Sequence, residues 1–239
     1  MNLILFDPAE IRAPLPRADR RAVHILEVLR RKIGETVDVG LINGPLGKAT
    51  VTAIDAAALT LAFAWGAAPP PLAPITLLVG LPRPQTARDI LRDATTLGVA
   101  AIHFVATEKS EASYAQSTLW SSGEWRRHAI AGAEQAFDTR VPEISHGRAL
   151  AELLPALPSA AARLALDNYE APMALGRFHF TREAPVWLAI GAERGWSARE
   201  REWLRENKFS FVHLGARVLR TETAVTAAIA IVRLQLGLL

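Results

Sequence analysis

The sequence predicts an α/β protein in two parts, a small β domain followed by a larger parallel-sheet α/β domain. Three observations carry that prediction. Short runs of alternating polar and apolar residues fill the N-terminal part of the chain, the period of half-buried strands. The Pro-rich stretch Gly66–Pro74, GAAPPPLAP, then stops both helix and sheet. Beyond it, apolar strands alternate with helical segments, the order that gives a parallel sheet covered on both faces.

Each element follows from its local pattern. Glu35–Gly40, Lys48–Ile54 and Ala58–Phe63 alternate in the strand manner with Gly and Asn-Gly turns between them, so residues 1–68 read as a mostly antiparallel β domain or barrel. Residues 69–74 form the linker, and 75–239 the α/β domain. Its strands are expected at Ile75–Gly80, Ala101–Ala106, Arg163–Asp167, Val186–Ile190 and Phe209–Leu214. Helices are expected near Thr86–Leu97, Ser122–Ala136 and Ser197–Asn207, with a last one from about Thr223. Ser121 with Glu124, and Ser197 with Glu200, have capping-box spacing, and Gly98 sits where a helix must stop. The last helix is apolar on nearly every side, with Val225, Ile229, Val232 and Leu236 on one stripe and Ile231 and Leu234 elsewhere. Such a helix is buried all round, either inside its own domain or at a subunit interface.

Composition bounds the chemistry. Half of the 239 residues are apolar, enough for a substantial core. There is no cysteine, which excludes disulfides, thiolate zinc sites and a cysteine nucleophile and points to a reducing, cytoplasmic setting. The opening MNLILFDPAEIR lacks a basic region ahead of its apolar patch, and no uncharged span is long enough for a bilayer, so neither secretion nor membrane insertion is expected. The six histidines are scattered without a metal-ligand pair, and no metal site is expected. Net charge is only +3, but 23 arginines stand against four lysines, and arginine is suited to bidentate phosphate contacts. On charge alone, a solvated Arg-rich surface explains this equally well. Arg17, Arg20, Arg21, Arg30, Arg31 and Lys32 fall within one short stretch, which reads as a phosphate-binding patch for RNA or as a solvated face.

Common nucleotide signatures are absent: Gly40, Gly44 and Gly47 make no dinucleotide fingerprint, and Gly47-Lys48-Ala49 lacks the remaining parts of a phosphate loop. Two other loops stand out. The strand Val186–Ile190 runs into Gly191-Ala-Glu-Arg-Gly195-Trp-Ser, a Gly-bracketed turn where open α/β sheets bind small molecules. A second strand ends at Gly215 and is followed by apolar residues interleaved with Arg217 and Arg220 before the last helix. Two such loops from consecutive strands make a cleft. Leu214, Gly215, Val218 and Leu219 offer an apolar bed and exposed amides, and Gly191 and Gly195 the opposite wall.

These loops carry a resemblance. IGAERGWSAREREW resembles a Gly-Pro-Glu-Gly-Gly-Phe/Leu-Ser-x-x-Glu loop, and LGARVLRTETA resembles a Leu-Gly-x-Arg-Ile/Val-Leu-Arg-x-Glu-Thr-Ala motif. Both belong to the ribosomal RNA small-subunit methyltransferase E family of the SPOUT class. His24–Arg30 is similar to the His-x-x-x-Val-Leu-Arg stretch of its N-terminal domain, and Ala133-Glu-Gln with Arg140–Ile144 to its central Ala-x-Glu-Gln and Arg-x-Pro-Glu-Ile region. The resemblance implies a PUA-like RNA-binding β domain, a SPOUT domain with a C-terminal trefoil knot, and homodimerisation through that domain. It further implies S-adenosylmethionine as cofactor, bound by Ile190, Gly191, Gly195, Leu214, Gly215, Arg217, Val218, Leu219 and Thr223, and N3 of a uridine in 16S ribosomal RNA as target.

In such an enzyme Arg220 would stabilise negative charge on the ring, with Glu222 as general base or as the group orienting the arginine. An ordinary ion pair at a helix start is the alternative for both residues. The sequence departs from the family pattern at Ala192 and Arg194, where Pro and Gly are usual, and at Ala136-Phe137-Asp138, where Ser-Gly-Arg is usual. Arg83–Arg88 and Asp93–Gly98 replace a Lys-rich loop and the usual Lys-Ala-x-Glu-Leu-Gly. Two further readings therefore stand beside the first: a methyltransferase of this class acting on another RNA base, and an inactive RNA-binding or ribosome-assembly protein of the same fold.

Overall fold

Two separate sheets form on either side of the Pro-rich stretch. A computed structural model describes residues 3–158, 161–179, 181 and 184–239, and the chain divides into two units. The first comprises Met1–Pro71 and Ala133–Val141, and the second Leu72–Gly132 and Pro142–Leu239. That a later segment completes the first unit is a long-range fact that local sequence pattern does not carry.

In the first unit the strands are β1 (Ile4–Phe6), β2 (Leu15–Pro16), β3 (Thr36–Leu41), β4 (Leu46–Ile54) and β5 (Ala58–Trp65). They form one sheet in the order β1-β3-β4-β5-β2, antiparallel except for the β1–β3 pair. The mostly antiparallel pairing is as expected, but strand hydrogen bonds do not close a barrel, since β1 and β2 remain as the two edges. A bulge between Val51 and Ala53 bends β4 instead. The short helix α1 (Arg20–Val23) starts at Asp19, whose side chain accepts the Arg21 N–H, and passes into one π-helical turn at His24–Val28. Phe6, Ile25, Val39, Val51 and Leu59 make the core, each worth about 1.5–3 kcal/mol when fully buried. Asn43 turns the chain between β3 and β4 with φ 59, a conformation its short polar side chain tolerates. The Ala133–Val141 segment docks on this turn: the Asn43 N–H donates to the Thr139 carbonyl at 2.8 Å, and Asn43 Oδ1 accepts the Val141 N–H at 2.9 Å.

The second unit holds β6 (Ala73–Gly80), β7 (Val99–Ala106), β8 (Glu143–Ala149), β9 (Ala162–Leu166), β10 (Met173–Ala174), β11 (Val186–Ile190) and β12 (Ser210–His213). All pair in parallel, in the order β10-β12-β9-β11-β6-β7-β8. Helices α2 (Pro84–Thr96), α3 (Thr118–Ser121), α4 (Glu124–Ala136), α5 (Leu150–Leu153), α6 (Ala198–Glu206) and α7 (Thr221–Gln235) connect them, and the far end of α4 belongs to the first unit. Alternate residues of the central strands feed two cores. Leu77, Val79, Leu188 and Ile190 meet α2 and α7 on one face, while Leu78 and Ala189 meet α5 and α6 on the other. The expected double covering follows.

Three local expectations are revised. Ser121 and Glu124 form no capping box. Ser117 caps α3, Gly123 with φ 72 separates the two helices, and the Glu124 carboxylate is held by Arg88 at 2.7 Å and His128 at 3.1 Å. Helix α7 begins at Thr221 rather than Thr223, because Arg220 serves as its N-cap without a side-chain cap bond and so leaves no sequence signal. That helix buries Val225, Ala228, Ile229, Val232 and Leu236, but Leu234 remains 65% exposed, so burial within the unit is one-sided. Helix α4 ends on Phe137 with φ 56. The Asp138 N–H bonds to the Ala133 carbonyl and the Phe137 N–H to the Glu134 carbonyl, a Schellman ending with Phe where Gly is favoured, at a cost of about 1 kcal/mol.

Candidate active site

The carboxyl ends of three neighbouring strands, β12, β9 and β11, each release a loop, and the three loops enclose one cleft. This is where an open parallel sheet accepts a ligand.

The first wall follows β11. Gly191 must be glycine because a Cβ there would lie 2.9 Å from Gly195 Cα. The Gly195 N–H closes a turn onto the Ala192 carbonyl at 2.8 Å, and Gly195 alone in this turn is left-handed, with φ 62. Ala192 and Arg194 replace the family's Pro and Gly without needing glycine's freedom. Trp196 is fully buried and donates its indole N–H to the Leu166 carbonyl at 3.0 Å. The expected capping box is present: Ser197 Oγ accepts the Glu200 N–H at 3.1 Å, and Glu200 Oε2 accepts the Ser197 N–H at 2.8 Å. The other oxygen of this buried carboxylate accepts the Glu108 N–H at 2.8 Å. Lys109 adds a further brace, its ammonium donating to the Trp196 carbonyl at 2.8 Å and the Arg194 carbonyl at 3.2 Å. Glu193 accepts the Arg83 N–H at 2.9 Å.

The second wall follows β12. Gly215 has φ 106, which L side chains rarely adopt, and its N–H donates to His213 Nδ1 at 3.0 Å. Leu214, Arg217, Val218 and Leu219 line the cleft, with Val218 81% exposed.

The third wall, Asp167–Tyr169 after β9, carries neither glycine nor a motif, so sequence reasoning missed it. Asp167 is buried, its Oδ1 accepting the Tyr169 and Glu170 N–H groups at 2.7 Å each and its Oδ2 accepting Arg201 Nε at 2.8 Å. A run of apolar strand residues ending in Asp was the available signal. Thr221 and Ala224 of α7 also reach the cleft.

Of the residues expected at the ligand site, the structure brings Ile190, Gly191, Gly195, Leu214, Arg217, Val218 and Leu219 together. Gly215 bends the second wall without lining the cleft, and Thr223 is exposed on α7 away from it. Arg220 is exposed at the N-cap of α7, Glu222 is half-buried in the first turn, and the two make no ion pair with each other. No cluster of three or more His, Asp or Glu side chains among the described residues is placed to hold a metal, and no helix there is long and apolar enough to cross a membrane.

In the first unit the arginines divide. The Arg21 guanidinium bonds both Asp19 and Glu10, lies 4.7 Å from the Phe6 ring centre, and by its hydrogen bonds holds both carboxyls below their ordinary range. Arg20 is largely exposed, 3.8 Å from Glu134. Arg30 and Arg31 are exposed, Arg30 with a left-handed backbone of φ 53, and Arg17 is half-buried.

A family model described as an RNA methyltransferase domain matches residues 68–233. Among curated proteins, the chain is 35% identical to the ribosomal RNA small subunit methyltransferase E of Treponema pallidum, over 97% of this chain and 90% of that one. It is 25% identical to ribosomal RNA small subunit methyltransferase E 1 of Borreliella burgdorferi, over 95% of each. Among solved structures, the small subunit methyltransferase E of Neisseria gonorrhoeae bound to S-adenosyl methionine superposes with a TM-score of 0.74 at 26% identity, over 98% of this chain and 97% of that one. A probable rRNA methyltransferase from Porphyromonas gingivalis shares the fold, with a TM-score of 0.83 at 22% identity over 99% of each chain.

Proposed function

This chain belongs to the ribosomal RNA small subunit methyltransferase E family of RNA methyltransferases, and on that premise we propose that it methylates N3 of a uridine in 16S ribosomal RNA, using S-adenosylmethionine. The observation that carries the reading is the three-walled cleft at the carboxyl ends of β9, β11 and β12, with the Gly191–Gly195 turn on one side and the Leu214–Leu219 loop on the other. The residues present fit such a cofactor. The space a Cβ on Gly191 would fill is closed by Gly195, so the backbone itself forms a wall, and Leu214 and Leu219 offer an apolar bed for an adenine.

The cofactor's sulfonium supplies an activated methyl group. The chain's own contribution is to hold donor and acceptor in line, and a braced cleft serves that need. Uridine N3 loses its proton during the reaction, so a positive group near the ring favours transfer. Arg220, exposed beside the second wall, is assigned that electrostatic role, and Glu222, which makes no ion pair with it, is assigned the role of general base. Ile190, Gly191, Gly195, Leu214, Arg217, Val218 and Leu219 are assigned to the cofactor, with Gly215 shaping the second wall and Thr223, exposed away from the cleft, left out. Arg17, Arg20, Arg30 and Arg31 are assigned to RNA phosphates, with Arg21 supporting them through its bonds to Asp19 and Glu10.

The same reading includes a trefoil knot at the C-terminal loops, a PUA-like role for the first unit, and a cytoplasmic homodimer. The exposed Leu234 on α7 supports the dimer. Ala192 and Arg194 leave the turn's geometry to Gly195, so they give no reason to read the chain as inactive.

Nucleoside mass spectrometry of small-subunit RNA from a deletion strain tests the target. Loss of 3-methyluridine, restored by the wild-type protein, is expected; unchanged 3-methyluridine rejects the assignment. Arg220→Ala should leave cofactor affinity by calorimetry nearly intact while slowing transfer, and a collapse of folding or cofactor binding would instead assign Arg220 to structure.

A further inference from the structure

We propose that Tyr169 is the stacking platform for the target base, offering one face of its ring to a nucleotide turned out of the RNA at the mouth of the cleft. The inference rests on the RNA-methyltransferase reading and deepens it. Tyr169 is 82% exposed, yet it lines the cleft and its backbone is fixed. Asp167 holds the Tyr169 N–H at 2.7 Å and, through its other oxygen, Arg201 at 2.8 Å. The Arg201 guanidinium in turn lies over the tyrosine ring, 5.4 Å from its centre. One buried carboxylate thus sets both the ring's attachment point and the cation beside the ring, which is otherwise largely open to solvent.

A lone exposed tyrosine needs no explanation. A ring whose backbone is pinned and which has a cation beside it, in the lining of a cleft, is different, because a methyl acceptor must pass that lining to reach the donor. A base cannot react while stacked within RNA, and aromatic side chains replace the stacking it gives up. Tyr169 lines the same cleft as Leu214 and Leu219 but is 82% exposed, so its ring is open to an occupant beyond the cofactor's adenine. Nor does the core of a subunit interface, since its neighbours on the rim, Asn168, Arg194 and Arg217, are polar or charged. Asn168, beside it, carries both a donor and an acceptor, as the edge of a pyrimidine requires.

The test compares full-length wild type with Tyr169→Ala, Tyr169→Phe and Tyr169→Trp on small-subunit RNA. The alanine variant should lose roughly ten- to a hundred-fold in kcat/KM for RNA, the loss of one base–aromatic stack. Phenylalanine and tryptophan should restore most of it. Affinity for S-adenosylmethionine and the sedimentation coefficient should not change, and RNA carrying 5-bromouridine should photocrosslink to Tyr169. Wild-type kcat/KM in the alanine variant overturns the proposal, as does a parallel loss of cofactor affinity, which would make Tyr169 a cofactor wall. A changed oligomeric state would make it an interface residue and equally overturns it. If wild type methylates no RNA, the parent reading falls with it; if it does and only the tyrosine series is flat, the parent reading stands.

Discussion

The two glycine-bearing walls of the cleft are built in opposite ways. The Gly191–Gly195 turn is held from several sides, by Trp196 in the core, by the Ser197–Glu200 cap and by the Lys109 ammonium on two carbonyls. The Leu214–Leu219 loop is tied at its start by Gly215 to His213 and then carries Arg217 and Val218 in solvent. The braced wall is the one whose sequence departs from the family pattern, and the loosely held wall is the one that matches it most closely. Bracing comes from residues outside the motif and tolerates substitution within it. A loop with little internal support is constrained instead by what it must touch.

The contrast can be broken most forcefully at Trp196. Trp196→Ala should cost about 3–5 kcal/mol in chemical denaturation, because it leaves a core cavity and removes the indole hydrogen bond to the Leu166 carbonyl. A loss below 1 kcal/mol would mean the first wall is not anchored there. Lys109→Met should destabilise by about 1.5–3 kcal/mol and weaken cofactor binding by calorimetry, since two carbonyls lose a charged donor. Gly191→Ala should lower cofactor affinity about tenfold, roughly 1.4 kcal/mol, as the new methyl displaces Gly195. Val218→Ala tests the other wall: the unfolding free energy should change by less than about 0.5 kcal/mol, while cofactor affinity drops by about 1 kcal/mol, roughly fivefold. Unfolding of that variant would erase the distinction between the walls. The smallest effect is expected at Arg194→Gly, which removes only an exposed ion pair with Glu111 and should leave cofactor affinity within about twofold.

Much of this arrangement was legible in the sequence, because β6, β7, β9, β11 and β12 are apolar runs and α6 carries its cap in plain view. The two outer strands of the parallel sheet were not. β8, Glu143-Ile-Ser-His-Gly-Arg-Ala, lies at an edge with a bulge at Gly147, so it has only one neighbour and no need of a continuous apolar face. β10 is two residues long, too short for any period. Pro84 at the first turn of α2 was a readable start signal, two residues ahead of the expected one. In the site, glycines and arginines drew attention, whereas Asp167 and Tyr169 look ordinary in sequence and acquire meaning only through Arg201, which lies on a distant helix. The basic stretch shows the converse limit: Arg21 reads like its neighbours, yet its charge is spent on Asp19 and Glu10.

The order of synthesis gives the discontinuous first unit a further consequence. Strands β1 to β5 leave the ribosome early, but Thr139, fully buried against Gly40, and Glu134, which accepts the Leu5 N–H at 3.1 Å, emerge only after α2, β7 and most of α4. The nascent β sheet must wait, incomplete at its β1 edge, until part of the second unit has been made. The N-terminal unit is therefore first to be started but cannot be completed until Val141 has been made, with much of the second unit already outside the ribosome.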